Sequence, residues 1–161
     1  MPDIDESERI GESPEDYVKR LAASKADLIA ERHPQEIVLG ADTTVVIDGQ
    51  IIGKPVDAAD ARGMIEMLSG NWHVVLTGIA VARNGSTLVD LQRTRVKFAQ
   101  MNEDEIAFLV ENGDPLDKAG AYAVQAQAAL FIEEIEGDYW NVVGLPVSLV
   151  YRLVMQKPAR K

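Results

Sequence analysis

A carboxylate stands in the middle of a run that is otherwise typical of a buried β-strand. Residues 37–47 are mostly apolar or β-branched, and Asp42 lies at their centre. A strand buried on both faces is expected to be apolar throughout, because an unpaired charge inside a protein is costly. The turn residues Asp48-Gly49 follow, then a short return strand at Ile51-Ile52 and a lysine, Lys54. The run therefore predicts an anion and a cation near one end of a sheet, a place suited to chemistry on a charged small molecule.

Length and composition limit the classes of protein to consider. The 161 residues are enough for one domain over 1–161 with a sizeable core. The absence of cysteine excludes disulfides, thiolate catalysis and Cys-based zinc sites, and it favours a cytoplasmic setting. The net charge of −10 argues against binding to a nucleic-acid polymer or a membrane surface, since both need basic patches. No apolar stretch is long enough to cross a bilayer, and the acidic residues 1–6 are unlike a secretory signal.

Periodicity, capping residues and turn signals predict alternating helices and strands. The predicted elements are helices over about 14–31, 58–68, 102–112 and 146–155, and strands over about 37–47, 50–52, 73–82, 87–98 and 130–135. The basic residues 157–161 are expected to fray. Hairpins with interspersed helices predict an α/β fold, a single domain with one mixed, twisted sheet flanked by helices.

Three charged residues have both a functional and a structural interpretation. Asp42 is either a general base or metal ligand, or a buried carboxylate paired with backbone N–H groups or an arginine. Lys25 falls on the apolar stripe of the first helix, where its ammonium either reaches solvent or enters a pocket. Lys54 precedes Pro55, so it is presented from an extended loop, either to solvent or to a ligand. Sequence spacing leaves these alternatives open.

Polar residues in the second half of the chain are also ambiguous. Asp117 and Lys118 lie in a charged loop and form either a solvated ion pair or part of a binding site. Gln125, in a run of small residues, either reads the edge of a base or is an ordinary surface residue. We expect His73 to be a hydrogen-bonded structural histidine, and Trp140-Asn141 to contribute packing and a turn.

One carboxylate in a strand, combined with lysines from separate segments, favours hydrolysis of a phosphoanhydride. Lysines neutralise phosphates, and an aspartate with Mg²⁺ activates water. The chain contains no Walker loop and no GxGxxG, GxSxG or HExxH motif that would indicate another chemistry.

Five motifs, in order and spread over nearly the whole chain, resemble those of the Maf family. They are Leu-Gly-Ala-Asp-Thr at 39–43, Gly-Lys-Pro at 53–55, Leu-Ser-Gly at 68–70 with His73 and Thr77-Gly78, Asp-Pro-Leu-Asp-Lys-Ala-Gly-Ala-Tyr at 114–122, and Asn-Val-Val-Gly-Leu-Pro at 141–146. The resemblance implies a nucleoside triphosphate pyrophosphatase that releases the monophosphate and pyrophosphate with a divalent metal, Mg²⁺ or Mn²⁺. The last two motifs resemble the branch that acts on dTTP and UTP. A homodimer is also implied.

The resemblance assigns roles to residues that match the motifs. Asp42 is implied to be the proton acceptor, and Glu6 matches an acidic active-site position, so that both are candidate metal ligands. Lys25 and Lys54 match lysines that bind phosphates. The remaining implied substrate contacts are base-selecting positions and pocket-wall residues, namely Thr43, Gln125, Asp117 and Lys118.

The chain also departs from the family pattern. The family's opening strand and its Ser-x-Ser-Pro-Arg-Arg segment at a helix N-terminus are not found, so we expect a first strand and helix to be missing through a truncated or misassigned start. Ala126-Gln127-Ala128-Ala129 replaces a glycine-rich stretch, and Asn71 replaces a basic residue. Two functions are therefore carried forward: an active dTTP/UTP pyrophosphatase, or a catalytically impaired nucleotide-binding or regulatory homologue.

Overall fold

A computed structural model of the protein describes residues 4–156. The helices are α1 (Pro14–Ala30), α2 (Ala58–Leu68), α3 (Glu103–Asn112), α4 (Tyr139–Val143) and α5 (Val147–Met155). The strands are β1 (Val38–Ile47), β2 (Gln50–Ile52), β3 (Trp72–Arg83), β4 (Ser86–Phe98) and β5 (Ile132–Glu136). The predicted α/β class is confirmed, and most element boundaries agree with the sequence prediction within one or two residues. The fraying expected at 157–161 lies outside the described residues.

The sheet has the order β2-β1-β3-β4-β5, and each of these described neighbours pairs antiparallel. The sequence predicted a mixed sheet, and the parallel pairing which that implies is not found between these strands. The predicted turns at Asp48-Gly49 and Asn84-Gly85 form, and all four residues have positive φ, as tight hairpins require. The strands β2 and β3 do run in the same direction, but β1 lies between them, so they are not neighbours.

Helix α1 packs against one face of the sheet at very close range. Gly40 on β1 and Gly78 on β3 lie beneath it, and a Cβ at these positions would come within 2.2 Å of the Ala22 carbonyl oxygen and 2.3 Å of the Val18 carbonyl oxygen. Glycine is the residue that allows such an approach between two backbones. The contact fixes the position of α1, and therefore of Lys25, relative to β1.

The other face of the sheet carries the larger hydrophobic core. Phe98, Leu68 and Ile65 are fully buried there, and the segment between α3 and β5 packs against them. That segment consists of three 3₁₀ turns, Pro115–Asp117, Ala119–Ala121 and Gln127–Leu130. The sequence predicted its beginning as an irregular loop and a strand from about 130, whereas β5 begins at Ile132.

None of the helices within residues 4–156 is long and apolar enough to cross a membrane.

Candidate active site

A cleft of about 490 Å³ lies beside the first half of β1. Because β2 pairs only with Val45–Ile47, the edge of β1 before Val45 has no strand on that side within the described residues. Side chains of successive strand residues point to opposite faces of the sheet. At this open edge, residues from both faces of β1, such as Asp42 and Thr43, line the same cleft. All residues predicted for the site line it: Glu6, Lys25, Asp42, Thr43, Lys54, Asp117, Lys118 and Gln125.

Asp42 and Lys25 form the central ion pair of the cleft. The Lys25 Nζ donates to Asp42 Oδ1 at 2.5 Å, and the same Nζ lies 2.9 Å from Glu6 Oε1. The Lys25 and Asp42 side chains are only 17% and 12% exposed, whereas Glu6 is 48% exposed. The partner of Asp42 is thus a lysine on α1, not the backbone or an arginine, and Lys25 turns into the pocket instead of extending to solvent.

The pKa values of this pair are both raised. Burial raises the pKa of Asp42, the hydrogen bond and charge of Lys25 offset it in part, and the charge of Glu6 adds to the increase. Burial opposes the charge on Lys25, but the hydrogen bonds to Asp42 and Glu6 outweigh it and raise the pKa of the ammonium. Lys25 therefore stays cationic at neutral pH, while Asp42 binds a proton more readily than an ordinary aspartate.

The segment that carries Glu6 is attached to α1 by two side chains. The Tyr17 hydroxyl donates to the Glu6 carbonyl oxygen at 3.0 Å, and Arg20 Nη2 donates to the Ser7 carbonyl oxygen at 2.9 Å. Arg20 also forms a bidentate pair with Glu12, with N–O distances of 2.6 and 2.7 Å. Tyr17 lines the cleft as well. Tyr17 and Arg20 do not stand out in the sequence, because on a helix surface they are indistinguishable from ordinary amphipathic residues.

The opposite wall is formed by two exposed loops. Lys54 projects from the loop after β2, and the Gly120 N–H donates to the Gly53 carbonyl oxygen at 3.0 Å, which links that loop to the 3₁₀ segment. Lys118 donates to Asp117, and this hydrogen bond lowers the pKa of the exposed Asp117 carboxyl. Both residues border the cleft. Asp117 and Lys118 therefore form an ion pair and also lie at the wall of the cleft, so the two interpretations of this loop do not exclude each other.

The cleft is also bordered by Thr43 and by the backbone that follows α4. Thr43 Oγ1 lies 2.9 Å from Thr77 Oγ1, and the Thr77 hydroxyl donates to the Asn141 carbonyl oxygen at 3.1 Å. The Asn141 Nδ2 in turn donates to the Val75 carbonyl oxygen at 3.0 Å. Asn141 is thus a buried anchor for α4. Its neighbour Trp140 is 55% exposed and meets Tyr139 edge to face, so its packing is peripheral, and the turn predicted at Trp140-Asn141 is part of the short helix α4.

His73 is buried in an aromatic cluster and does not itself line the cleft, whereas its hydrogen-bonding partner Tyr122 does. Its Nε2 lies 2.7 Å from the Tyr122 hydroxyl, and its ring meets Phe98 and Tyr122 edge to face. Its Nδ1 is buried without a partner in the described part of the chain. Burial lowers the pKa of His73 to about 4, so the ring is neutral at pH 7. The structural role predicted for His73 fits this position, although only one of its two nitrogens is hydrogen-bonded.

The acidic side chains of the cleft suit a cation that is held mainly by a substrate. Asp42 and Glu6 contact one ammonium, so their oxygens face a common point. Within residues 4–156, no three His, Asp or Glu side chains converge as a metal site. Mg²⁺ is commonly bound by one or two carboxylates together with phosphate oxygens and water. The donor set therefore fits a hard divalent ion that arrives with a phosphate ligand.

Comparison with known proteins gives one consistent family. The model of the Maf family, described as Maf-like protein, matches residues 1–157. A dTTP/UTP pyrophosphatase of Symbiobacterium thermophilum is 47% identical over 156 residues, which are 97% of this chain and 80% of that protein. One from a Geobacillus species is 48% identical over 152 residues, covering 94% and 81%. One from Thermotoga maritima is 43% identical over 158 residues, covering 97% and 76%.

Proposed function

Because this chain belongs to the Maf family, we propose that it is a nucleoside triphosphate pyrophosphatase that hydrolyses dTTP and UTP to the monophosphate and pyrophosphate. The observation that carries the proposal is the Asp42–Lys25 ion pair in a cleft that Lys54 also lines. The relatives at 43–48% identity that are named dTTP/UTP pyrophosphatase support the substrate class.

In this proposal Asp42 is the general base. A water molecule attacks the α-phosphorus and transfers a proton to the Asp42 carboxylate, and the bond between the α-phosphorus and the bridging oxygen breaks as pyrophosphate leaves. The raised pKa of Asp42 suits this task, because a carboxylate that binds protons more readily is a stronger base. Lys25 and Lys54 contribute positive charge where the phosphates carry negative charge.

A divalent cation, Mg²⁺ or Mn²⁺, is part of the same proposal. Asp42 and Glu6 would hold it together with phosphate oxygens, and when bound it would neutralise charge on the triphosphate. Lys25 would then have two functions: it forms ion pairs with both carboxylates before substrate binds, and it would face the phosphates afterwards.

The nucleoside end of the substrate is proposed to lie toward Thr43 and Gln125, with Asp117 and Lys118 at the wall. Thr43 and Gln125 both line the cleft, and each has a side chain that can hydrogen-bond a base. The lysines and the base-reading side chains thus face one cleft, as a nucleotide requires. The absence of cysteine in the sequence agrees with a cytoplasmic enzyme acting on the free nucleotide pool.

We extend the proposal to a homodimer. Several large apolar side chains on α4, α5 and the loop between them are at least 39% exposed, which supports an interface there: Tyr139, Trp140, Leu145, Val147 and Tyr151. Sedimentation velocity of the full chain distinguishes a dimer from a monomer.

The replacement Asp42→Asn tests the proposed reaction. We expect the full-length protein to release pyrophosphate from UTP and dTTP with Mg²⁺, and Asp42→Asn to lower kcat by about 100-fold or more, the usual contribution of a general base. Asp90→Asn is the matched control, because Asp90 is exposed on β4, two strands across the sheet from Ala41, and does not line the cleft. Equal turnover by Asp42→Asn and the unmodified protein would remove Asp42 from the mechanism. A thermal shift with UTP but no hydrolysis by the unmodified protein would instead support a nucleotide-binding homologue.

A further inference from the structure

Three polar groups form a continuous hydrogen-bonded chain from the cleft into the core. It runs from the Thr43 hydroxyl to the Thr77 hydroxyl at 2.9 Å, and from there to the Asn141 carbonyl oxygen at 3.1 Å. Thr77 and Asn141 are both 0% exposed, so neither can exchange these partners for water. The inner end of the chain is therefore fixed.

Counting protons gives the direction of both hydrogen bonds. A carbonyl oxygen only accepts, so Thr77 must donate its single hydroxyl proton to Asn141. Thr77 then has no proton left for Thr43, and the bond between the two hydroxyls requires Thr43 to be the donor. With its own proton directed inward, the Thr43 oxygen has only lone pairs to offer to a ligand.

The Thr43 residue is only partly buried, and it faces the cleft. Thr43 lines the cleft, and a Cβ placed on Gly144 would lie 3.4 Å from Thr43 Oγ1. Gly144 has φ of 107°, a conformation that disfavours any larger residue at this point. The backbone after α4 thus lies beside the hydroxyl without covering it.

We infer that Thr77 is a positioning residue for base selection: it makes the Thr43 hydroxyl a fixed hydrogen-bond acceptor, which suits a pyrimidine with an N3–H donor. This inference rests on the proposed function and deepens it. Uracil and thymine carry a proton on N3, whereas neutral cytosine presents a lone pair there. A buried site that hydrogen-bonds a particular donor rejects an analogue that lacks it, because the acceptor is left unpaired. Thr77 does not line the cleft itself and acts through Thr43.

Thr77→Val tests the inference, because valine keeps the shape of threonine and removes the hydroxyl. Thr43 then loses its inward acceptor, and its proton becomes free to point into the cleft. We expect the ratio of kcat/KM for UTP to that for CTP to fall about tenfold, the effect of one hydrogen bond. The change for UTP should be in KM, with kcat nearly unchanged, since the phosphates are bound elsewhere. Thr77→Ser restores the hydroxyl and should restore the ratio.

Thr94→Val is the matched control for the structural effect of Thr77→Val. Thr94 is a buried threonine on β4 whose hydroxyl bonds the backbone of Asp138 at the start of α4, without contact to Thr43. Thr94→Val should lower the melting temperature about as much as Thr77→Val does. It should leave the ratio of kcat/KM for UTP to that for CTP unchanged. A Thr77→Val protein that is folded and keeps the original ratio would overturn the inference, as would an unmodified enzyme that cleaves CTP as well as UTP. No cleavage of any nucleotide by the unmodified protein would overturn the proposed function instead.

Discussion

At the scale of single residues, the central feature is one ammonium shared by two carboxylates. Asp42 can be mostly buried because Lys25 contacts it directly, and Glu6 contacts the same ammonium from the more exposed side. The three side chains carry a net charge of about −1 when all are ionised. Under the proposed mechanism, a phosphate ligand and a metal ion would therefore meet both a positive and two negative side chains in this site.

The two neighbours of Asp42 shift its pKa in opposite directions, and this predicts opposite effects of two substitutions. Lys25 lowers the pKa of Asp42, so Lys25→Met should raise that pKa further. Glu6 raises the pKa of Asp42, so Glu6→Gln should lower it. Carboxyl-carbon NMR titration of Asp42 in the ligand-free protein measures both shifts without depending on activity.

The two substitutions should also shift the pH dependence of hydrolysis in opposite directions. A general base must be ionised, so kcat/KM should rise with pH through the Asp42 pKa. Compared with the unmodified protein, this acidic limb should move to higher pH in Lys25→Met and to lower pH in Glu6→Gln. Two shifts in the same direction would contradict the assignment of the limb to Asp42.

At the scale of elements, the cleft depends on a segment with no regular structure of its own. Residues 5–12 reach the site because Tyr17 and Arg20, one turn apart on α1, hydrogen-bond their carbonyl groups. Arg20 is suited to this position because its planar guanidinium also forms the bidentate pair with Glu12. The position of Glu6 is therefore determined by residues that do not contact the substrate in the proposed mechanism.

Loss of the Arg20 guanidinium should loosen this segment while α1 remains folded. In Arg20→Gln we expect amide hydrogen exchange over residues 5–12 to become about tenfold faster or more, since local opening then breaks fewer hydrogen bonds. Arg62→Gln serves as the control, because Arg62 pairs with Glu66 and Glu103 near α2 and α3, away from the segment. If exchange over residues 5–12 were unchanged in Arg20→Gln, the tethering role of Arg20 would be refuted.

Local sequence signals explain most of the elements. Ser13, Asp57 and Asn102 each accept a backbone hydrogen bond at a helix start, and Asn102 with Glu105 forms a capping box. The 3₁₀ turns before β5 were not predicted. Their conformation depends on contacts with distant parts of the chain, such as the Gly120 to Gly53 hydrogen bond, which leave no periodic pattern in the sequence.

At the scale of the whole molecule, the approach of α1 to the sheet connects stability with the site. Gly40→Ala would place a methyl group 2.2 Å from the Ala22 carbonyl oxygen, so α1 must shift away from β1. We expect a loss of about 1–3 kcal/mol in the free energy of unfolding, the usual cost of overpacking. Because Lys25 lies on α1 and Asp42 on β1, the same shift should weaken their ion pair and lower kcat.

Gly63→Ala is the contrasting substitution. Gly63 lies within α2, and a Cβ there would meet nothing within 4 Å. Replacing a helical glycine with alanine should stabilise the protein by about 1 kcal/mol without affecting hydrolysis. Urea denaturation and UTP hydrolysis measure both effects. A Gly40→Ala protein as stable and active as the unmodified one would show that α1 is not fixed by this contact.

The sequence by itself determined most of the elements, the family and the charged residues proposed for the cleft, because turns, caps, periodicity and motifs are local properties of the chain. Only the tertiary structure decided how those residues meet. It joins Lys25 to Asp42 across 17 positions, Thr43 to Thr77 across 34 and Thr77 to Asn141 across 64. It also decided that the sheet is antiparallel between its described neighbours. Charge pairing and the direction of a hydroxyl proton depend on which distant groups are brought within hydrogen-bonding distance, and no spacing along the chain encodes that.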